Sequence, residues 1–69
     1  MNNVTILNAT WLVIVDGFPY HVIVYTNVVG MVRHYIKDLA YCTETDNMSG
    51  GVTSRDEALA AVTKYIAGK

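Results

Sequence analysis

Residues 10–26, TWLVIVDGFPYHVIVYT, constrain what this chain can fold into more than any other stretch. Two runs of β-branched and aromatic residues, the composition strands favour, flank Asp16, Gly17, Phe18 and Pro19. Those four supply turn chemistry: glycine tolerates positive φ and proline fixes its own. The pattern predicts a β-hairpin with Val15 opposite Tyr20, Val13 opposite Val22 and Trp11 opposite Val24. Alternation puts Trp11, Val13, Val15, Tyr20, Val22 and Val24 on one face. The other face holds Thr10, Leu12, Ile14, His21, Ile23 and Tyr25. A hairpin with one wet side alternates apolar with polar. This one is apolar on both faces, and Asp16 is its only formal charge.

A chain of 69 residues is one small domain, 1–69. At that size only about 60% of the unfolded surface is buried, so other stabilising devices matter. Cys42 is the single cysteine, which excludes an intrachain disulfide. No Cys/His spacing matches a zinc site, and neither a metal nor a cofactor is expected. Oligomerisation or partner binding is the remaining route. Charged residues make up 16% of the chain and its net charge is −1, which offers nucleic acid or an anionic membrane no electrostatic footprint. No apolar run is longer than 11–15, far short of the about 20 residues of a spanning helix. The amino terminus lacks the basic start of a signal peptide, so a cytoplasmic protein is expected.

Charge is distributed unevenly: residues 1–32 contain only Asp16, and every other charged side chain lies between Arg33 and Lys69. The amino-terminal half is therefore expected to be the buried half. Val4, Thr5, Ile6 and Leu7 read as a short strand or as an extension of the first hairpin arm beyond a bend at Asn8. In 28–42, Val28, Val32, Tyr35, Ile36, Leu39 and Ala40 recur at helical spacing, with Asn27 as N-cap. This predicts a helix. Gly30 and the β-branched residues oppose it, and the rival reading is a third antiparallel strand over 31–42 after a turn at 27–30. Residues 44–53, ETDNMSGGVT, read as a loop. Ser54 followed by Glu57 is a capping box that opens a helix over 54–67, and Thr53 with Asp56 offers the same logic one residue earlier. Ala58, Leu59, Val62, Tyr65 and Ile66 form its apolar face, and Gly68 follows as a stop.

Candidate sites are few. His34, Asp38 and Cys42 would form one stripe on a helix, suggesting a thiol nucleophile or half a metal site. A working triad needs His between nucleophile and carboxylate, and here Asp is in the middle. A surface His–Asp pair beside a packed cysteine is the simpler reading. His21 sits among apolar neighbours, where a lone histidine is more often a hydrogen-bonded packing residue than a ligand. Arg33, Lys37 and Lys64 with Tyr35 and Tyr41 would suit stacked single-stranded bases, but three cations are a weak footprint. Ser49, Gly50 and Gly51 lack the spacing and lysine of a phosphate loop. Asp46 and Asn47 do not fit a calcium loop. Glu44, Asp46, Asp56 and Glu57 make a modest acidic end, read as a solubilising surface. Phe18, at the hairpin tip beside Pro19, is a candidate partner contact, since a turn rarely buries its own apex.

The segment DLAYC, 38–42, followed by TSRDEALAAVTKYI is faintly similar to the strand-then-helix part of HicB-type antitoxins. Those typically carry proline and glycine where this chain has Ala40 and Tyr41, and a shorter gap before the helix. In size and style the chain is also similar to small phage-encoded inhibitors of host proteins, anti-CRISPR proteins among them. The expected fold is α+β: a small two-layer domain, an antiparallel hairpin with or without a third strand, packed against one or two helices. Trp11, Val13, Val15, Val22 and Val24 should meet Ile36, Leu39, Leu59, Val62 and Ile66. The expected function is non-enzymatic. It is a homodimeric protein–protein interaction module that regulates or inhibits a macromolecular partner, with Leu12, Ile14, Phe18, His21, Ile23 and Tyr25 as the interface. A large uncovered apolar patch would otherwise invite aggregation, and an uncharged strand edge invites pairing. A nucleic-acid-binding or antitoxin-like regulator is the alternative.

Overall fold

The computed structural model describes residues 6–68. Val4 and Thr5 of the expected first strand lie outside them. The hairpin is present as β1 (Ile6–Val15) and β2 (Phe18–Thr26), antiparallel. Its turn is shorter than the four residues expected. Asp16 and Gly17 alone form it, with φ of 52° and 82°. Positive φ at both central residues is the primed turn whose twist matches paired strands, and Asp-Gly is a favoured sequence for it. Val15 therefore pairs with Phe18, Val13 with Tyr20 and Trp11 with Val22. The register moves by two residues from the expected one. An even shift leaves every side chain on its expected face.

The bend anticipated at Asn8 is a β-bulge: Leu7 pairs with Tyr25 and Ala9 with Val24. The Asn8 side chain exchanges two hydrogen bonds with the Thr26 hydroxyl, Nδ2 donating at 2.9 Å and Oδ1 accepting at 3.2 Å.

The helix expected over 28–42 is not formed. The segment contains β3 (Val32–Asp38), antiparallel to β2, as in the rival reading. Asn27 does accept backbone N–H groups, from Val29 at 3.1 Å and Met31 at 3.0 Å. Those bonds close a tight turn rather than open a helix, aided by Gly30 N–H donating to the Asn27 carbonyl. A helix here would leave the second edge of β2 unpaired, with its backbone groups buried or wetted at a cost; a strand satisfies them. Leu39 and Ala40 gave the segment its helical spacing. They belong instead to a turn, where the buried Asp38 carboxylate accepts the N–H groups of Ala40 and Tyr41.

Two short strands, β4 (Thr43–Glu44) and β5 (Met48–Ser49), both pair with β3, so the sheet runs β1-β2-β3 with β4 and β5 on the outer side of β3. Pro19 sits on central β2 without breaking it. Its carbonyl accepts from Leu39 N–H at 3.2 Å beyond the last β3 pair, where no donor is demanded of it. After β5 the chain crosses the sheet. Gly51 lies so close to Val32 and Val24 that a Cβ there would stand 2.9 Å from the Val32 Cγ1. The crossing delivers buried Val52 and then α1 (Arg55–Ala67). This is the one helix among the described residues, and none is long and apolar enough to cross a membrane.

Ser54 is the N-cap, its Oγ accepting from Glu57 N–H at 3.2 Å. The return half of the box shifts by one residue. The Glu57 carboxylate accepts from Thr53, from its N–H at 2.8 Å and its hydroxyl at 2.9 Å. The Thr53 backbone bond, then the hydroxyl bond, hold this carboxyl below its ordinary value.

The core is Val13, Tyr20, Val22, Val24, Ile36, Val52, Ala58 and Val62, with Trp11, Val15 and Ile66 partly buried against it. Leu39 and Leu59, expected inside, are 38% and 46% exposed. Ala58, with no exposed surface, lets the helix approach the sheet closely and turns Leu59 to its flank. Tyr65 meets Tyr20 edge to face, with centroids 6.4 Å apart. One cost remains inside: the Trp11 indole N–H is buried with no acceptor among the described residues.

Ile36→Ala should therefore lower the unfolding free energy by about 2–5 kcal/mol, while Leu39→Ala should change it by less than about 1 kcal/mol, as read by urea denaturation. Because Glu57 titrates lower when folded, its contribution is present at neutral pH and is lost as pH falls through the folded value. Glu57→Gln should remove that part of the acid dependence, seen as a flatter profile of melting temperature against acidic pH.

Candidate interaction surface

The sheet has two unequal faces. Val13, Tyr20, Val22, Val24 and Ile36 point into the core with the helix. Strand alternation sends the intervening residues to the opposite face. From β1 these are Thr10, Leu12 and Ile14; from β2, His21, Ile23 and Tyr25; from β3, Arg33, Tyr35 and Lys37. Leu12 and Ile14 are 52% and 63% exposed, and the β2 and β3 members are half-buried by one another.

Five of the six expected interface residues are thus brought together: Leu12, Ile14, His21, Ile23 and Tyr25. Phe18 stands apart. It pairs with Val15, on the helix side, and lines a small depression with Val15, Tyr20, Tyr41 and Ile66 at the hairpin tip.

Arg33, Tyr35 and Lys37 extend the surface and were not expected on it, because their segment read as a helix. The signal was present: Arg33, Tyr35 and Lys37 alternate with Val32, His34, Ile36 and Asp38. The polar residues His34 and Asp38 on the buried side masked it. Tyr25 and Tyr35 meet edge to face, centroids 6.1 Å apart, across the diagonal of β2 and β3. Lys37 lies 4.0 Å from Glu44 on β4, an exposed pair that is worth little. The Arg33 guanidinium donates to the Asn47 carbonyl at 3.4 Å. The face therefore grades from an uncharged strip on β1 and β2 to a mixed-charge border on β3 and β4. Burial first, then the nearby Glu44 carboxylate and Tyr25, push the Tyr35 phenol up.

The other candidates are dispersed. His34 faces the helix side, its Nδ1 2.9 Å from the Gly50 carbonyl. Asp38 is buried at the end of β3, and Cys42 is exposed in the following turn with φ of 57°. A strand separates what a helix would have stacked, and no group of His, Cys, Asp or Glu that could hold a metal ion occurs among the described residues. Lys64 lies on α1 and Tyr41 in the β3–β4 turn, so neither joins Arg33 and Lys37. A groove between α1 and β3 is lined by His34, Ile36, Met48, Ala61, Lys64 and Tyr65. Thr45, Asp46 and Ser49 also line it, and most of its exposed lining is apolar.

Comparison with family models, with curated proteins and with solved structures finds no match to this chain.

Tyr35 carries a prediction for this surface. Its raised value means that the neutral phenol is favoured by the fold, so its contribution is complete below the ordinary tyrosine range and is lost as pH rises through the folded value. Glu44→Gln should lower the midpoint at which Tyr35 ionises, measured by phenolate absorbance against a Tyr35→Phe blank.

Proposed function

We propose that this chain is a non-enzymatic protein-binding module that acts through the sheet face opposite α1. The observation that carries the reading is the exposure of Leu12 and Ile14 beside Ile23 and Tyr25 on one uncharged strip, with Tyr35 at its border. Contiguous apolar surface of this kind, rimmed by polar groups, is characteristic of interaction sites. The arrangement also has the anatomy of an interface: aliphatic side chains in the strip, tyrosines Tyr25 and Tyr35 where it meets the border, and charge at the rim on Arg33, Lys37 and Glu44. A two-layer domain, one helix over one sheet face, supports the reading, because it leaves the second face for a partner. Binding to a macromolecule and regulating or inhibiting it is the function in view, with the module itself a homodimer.

A second reading draws on Arg33, Tyr35, Lys37 and Tyr25, which share the face. Aromatic rings interleaved with cations are what single-stranded nucleic acid stacks upon. The net charge of −1 and the proximity of Glu44 to Lys37 weigh against it.

Ile23 is on central β2 and its side chain is on the open face, so Ile23→Lys should leave the circular dichroism spectrum of the fold in place. A protein retained by immobilised wild type from cell lysate should be released by this substitution, with at least about a tenfold loss of affinity for a contact at the centre of an interface. An unchanged set of retained proteins would refute the reading. The nucleic-acid reading instead requires salt-sensitive binding of a labelled oligonucleotide that Arg33→Ala and Lys37→Ala weaken.

A further inference from the structure

β1 is an edge strand, and its outer side pairs with nothing among the described residues. The two-residue turn makes Val15 and Phe18 a hydrogen-bonded pair, so Val15, Val13 and Trp11 aim their backbone groups at β2. Pro19 provides an independent check. Its carbonyl bonds towards Leu39 on the β3 side, so alternate residues of β2, Phe18 and Tyr20 among them, serve β1. It follows that Thr10, Leu12 and Ile14 present their N–H and C=O groups outward.

Natural edges are protected by lysine, proline, shortness or inward-pointing charge. β1 has none of these: it is 10 residues long, ILNATWLVIV, without a charge or a proline. Only the bulge at Asn8 interrupts it, at the end away from the turn.

We propose that two copies of this chain pair antiparallel through β1, in a two-fold dimer with one continuous sheet. The reason the occupant is a second copy is self-complementarity. A two-fold axis sets each residue against its own strand, and any charge near the axis would meet its like. β1 offers no charge to repel. In the register centred on Leu12, Leu12 meets Leu12 of the second copy, and Thr10 meets Ile14 of the second copy. The outward groups of those three residues then form about six main-chain hydrogen bonds. On the helix side, Leu59 is half exposed and shares a depression with Val13, Ile14, Arg55 and Asp56, so the charges nearest the seam are one of each sign and lie on α1, not on β1.

Main-chain hydrogen bonding, not area, favours the edge over stacking the open faces. The uncharged strip on β1 and β2 is two strands wide and about seven residues long, which projects to about 230 Å². Even doubled for corrugation, that is well short of the about 800 Å² per partner of a stable interface. Edge pairing adds backbone hydrogen bonds and joins the two strips side by side. The dimer thereby doubles the binding strip and leaves it free. The proposal deepens the protein-binding reading above, and its test is separable from that one.

Sedimentation equilibrium should find the wild type dimeric at micromolar concentration and not larger, because pairing consumes β1. Leu12→Lys and Leu12→Glu should each weaken the dimer by at least about tenfold, through like charges directly opposite at the axis, and their equimolar mixture should restore it. Hydrogen exchange on the wild type needs no substitution: the amides of Thr10, Leu12 and Ile14 should gain protection as concentration rises. A monomeric wild type would overturn the proposal. So would a dimer whose Thr10, Leu12 and Ile14 amides exchange freely, or one that Leu12→Lys leaves intact. Ile23→Lys lies one strand in from the edge and should preserve the dimer. A dimer that persists while this substitution releases no partner would defeat the protein-binding reading alone.

Discussion

The turn at Asp16–Gly17 is the constraint on which the rest of the structure depends. Two consecutive residues at positive φ join the arms with no slack, so the parity of the hairpin is set there. Parity decides which side chains face the helix, which face away, and which backbone groups of β1 point outward. A turn one residue longer would send Val13 and Val22 to opposite faces, and the core cluster would have no common side to assemble on. β2 then serves as the central strand. It gives one edge to β1 and the other to β3, and its Val22 and Val24 are closed over by Val52, Ala58 and Val62.

From that parity follows an imbalance. A single helix of 13 residues and the crossing segment before it can cover one face of the sheet. The other face is left with Leu12, Ile14, Ile23 and Tyr25 and with tyrosines that shield each other only partly. The small size of the chain makes this open side costly to leave unused, since a single cysteine allows no intrachain disulfide to offset the shallow core. The edge of β1 and the open face are two aspects of one arrangement: Thr10, Leu12 and Ile14 supply the outward backbone of the first and the side chains of the second.

Much of this was legible in the residues themselves. The hairpin, the membership of its two faces and the capped helix after Ser54 all follow from local chemistry, while the bend at Asn8 was one of two readings of 4–7. Turn residues, alternation and capping each act over a few positions. The segment 28–42 was misread where local signals conflicted. Leu39 and Ala40 extended a helical spacing, and His34 and Asp38 spoiled the strand alternation. Both pairs have tertiary explanations. Leu39 and Ala40 lie in a turn that the buried Asp38 organises, and the His34 ring is taken up by the Gly50 carbonyl from a distant loop. The gathering of Arg33, Tyr35 and Lys37 onto the open face was lost with the same misreading.

By itself the sequence determined that 10–26 would be a hairpin apolar on both sides, and that Leu12, Ile14, His21, Ile23 and Tyr25 would share a face. Period-two alternation survives a register error of two residues, which is why the faces held while the pairing moved. Only the tertiary structure decided that β3 would complete the sheet, because its pairing satisfies backbone groups on β2 that no local pattern reports. It also decided that the helix would seat Ala58 and Val62 rather than Leu59, since the rotation of a helix on a sheet is set by how closely its smallest residue lets the two approach. And it left β1 as the open edge, a property of strand order that appears only when every strand has found its neighbour.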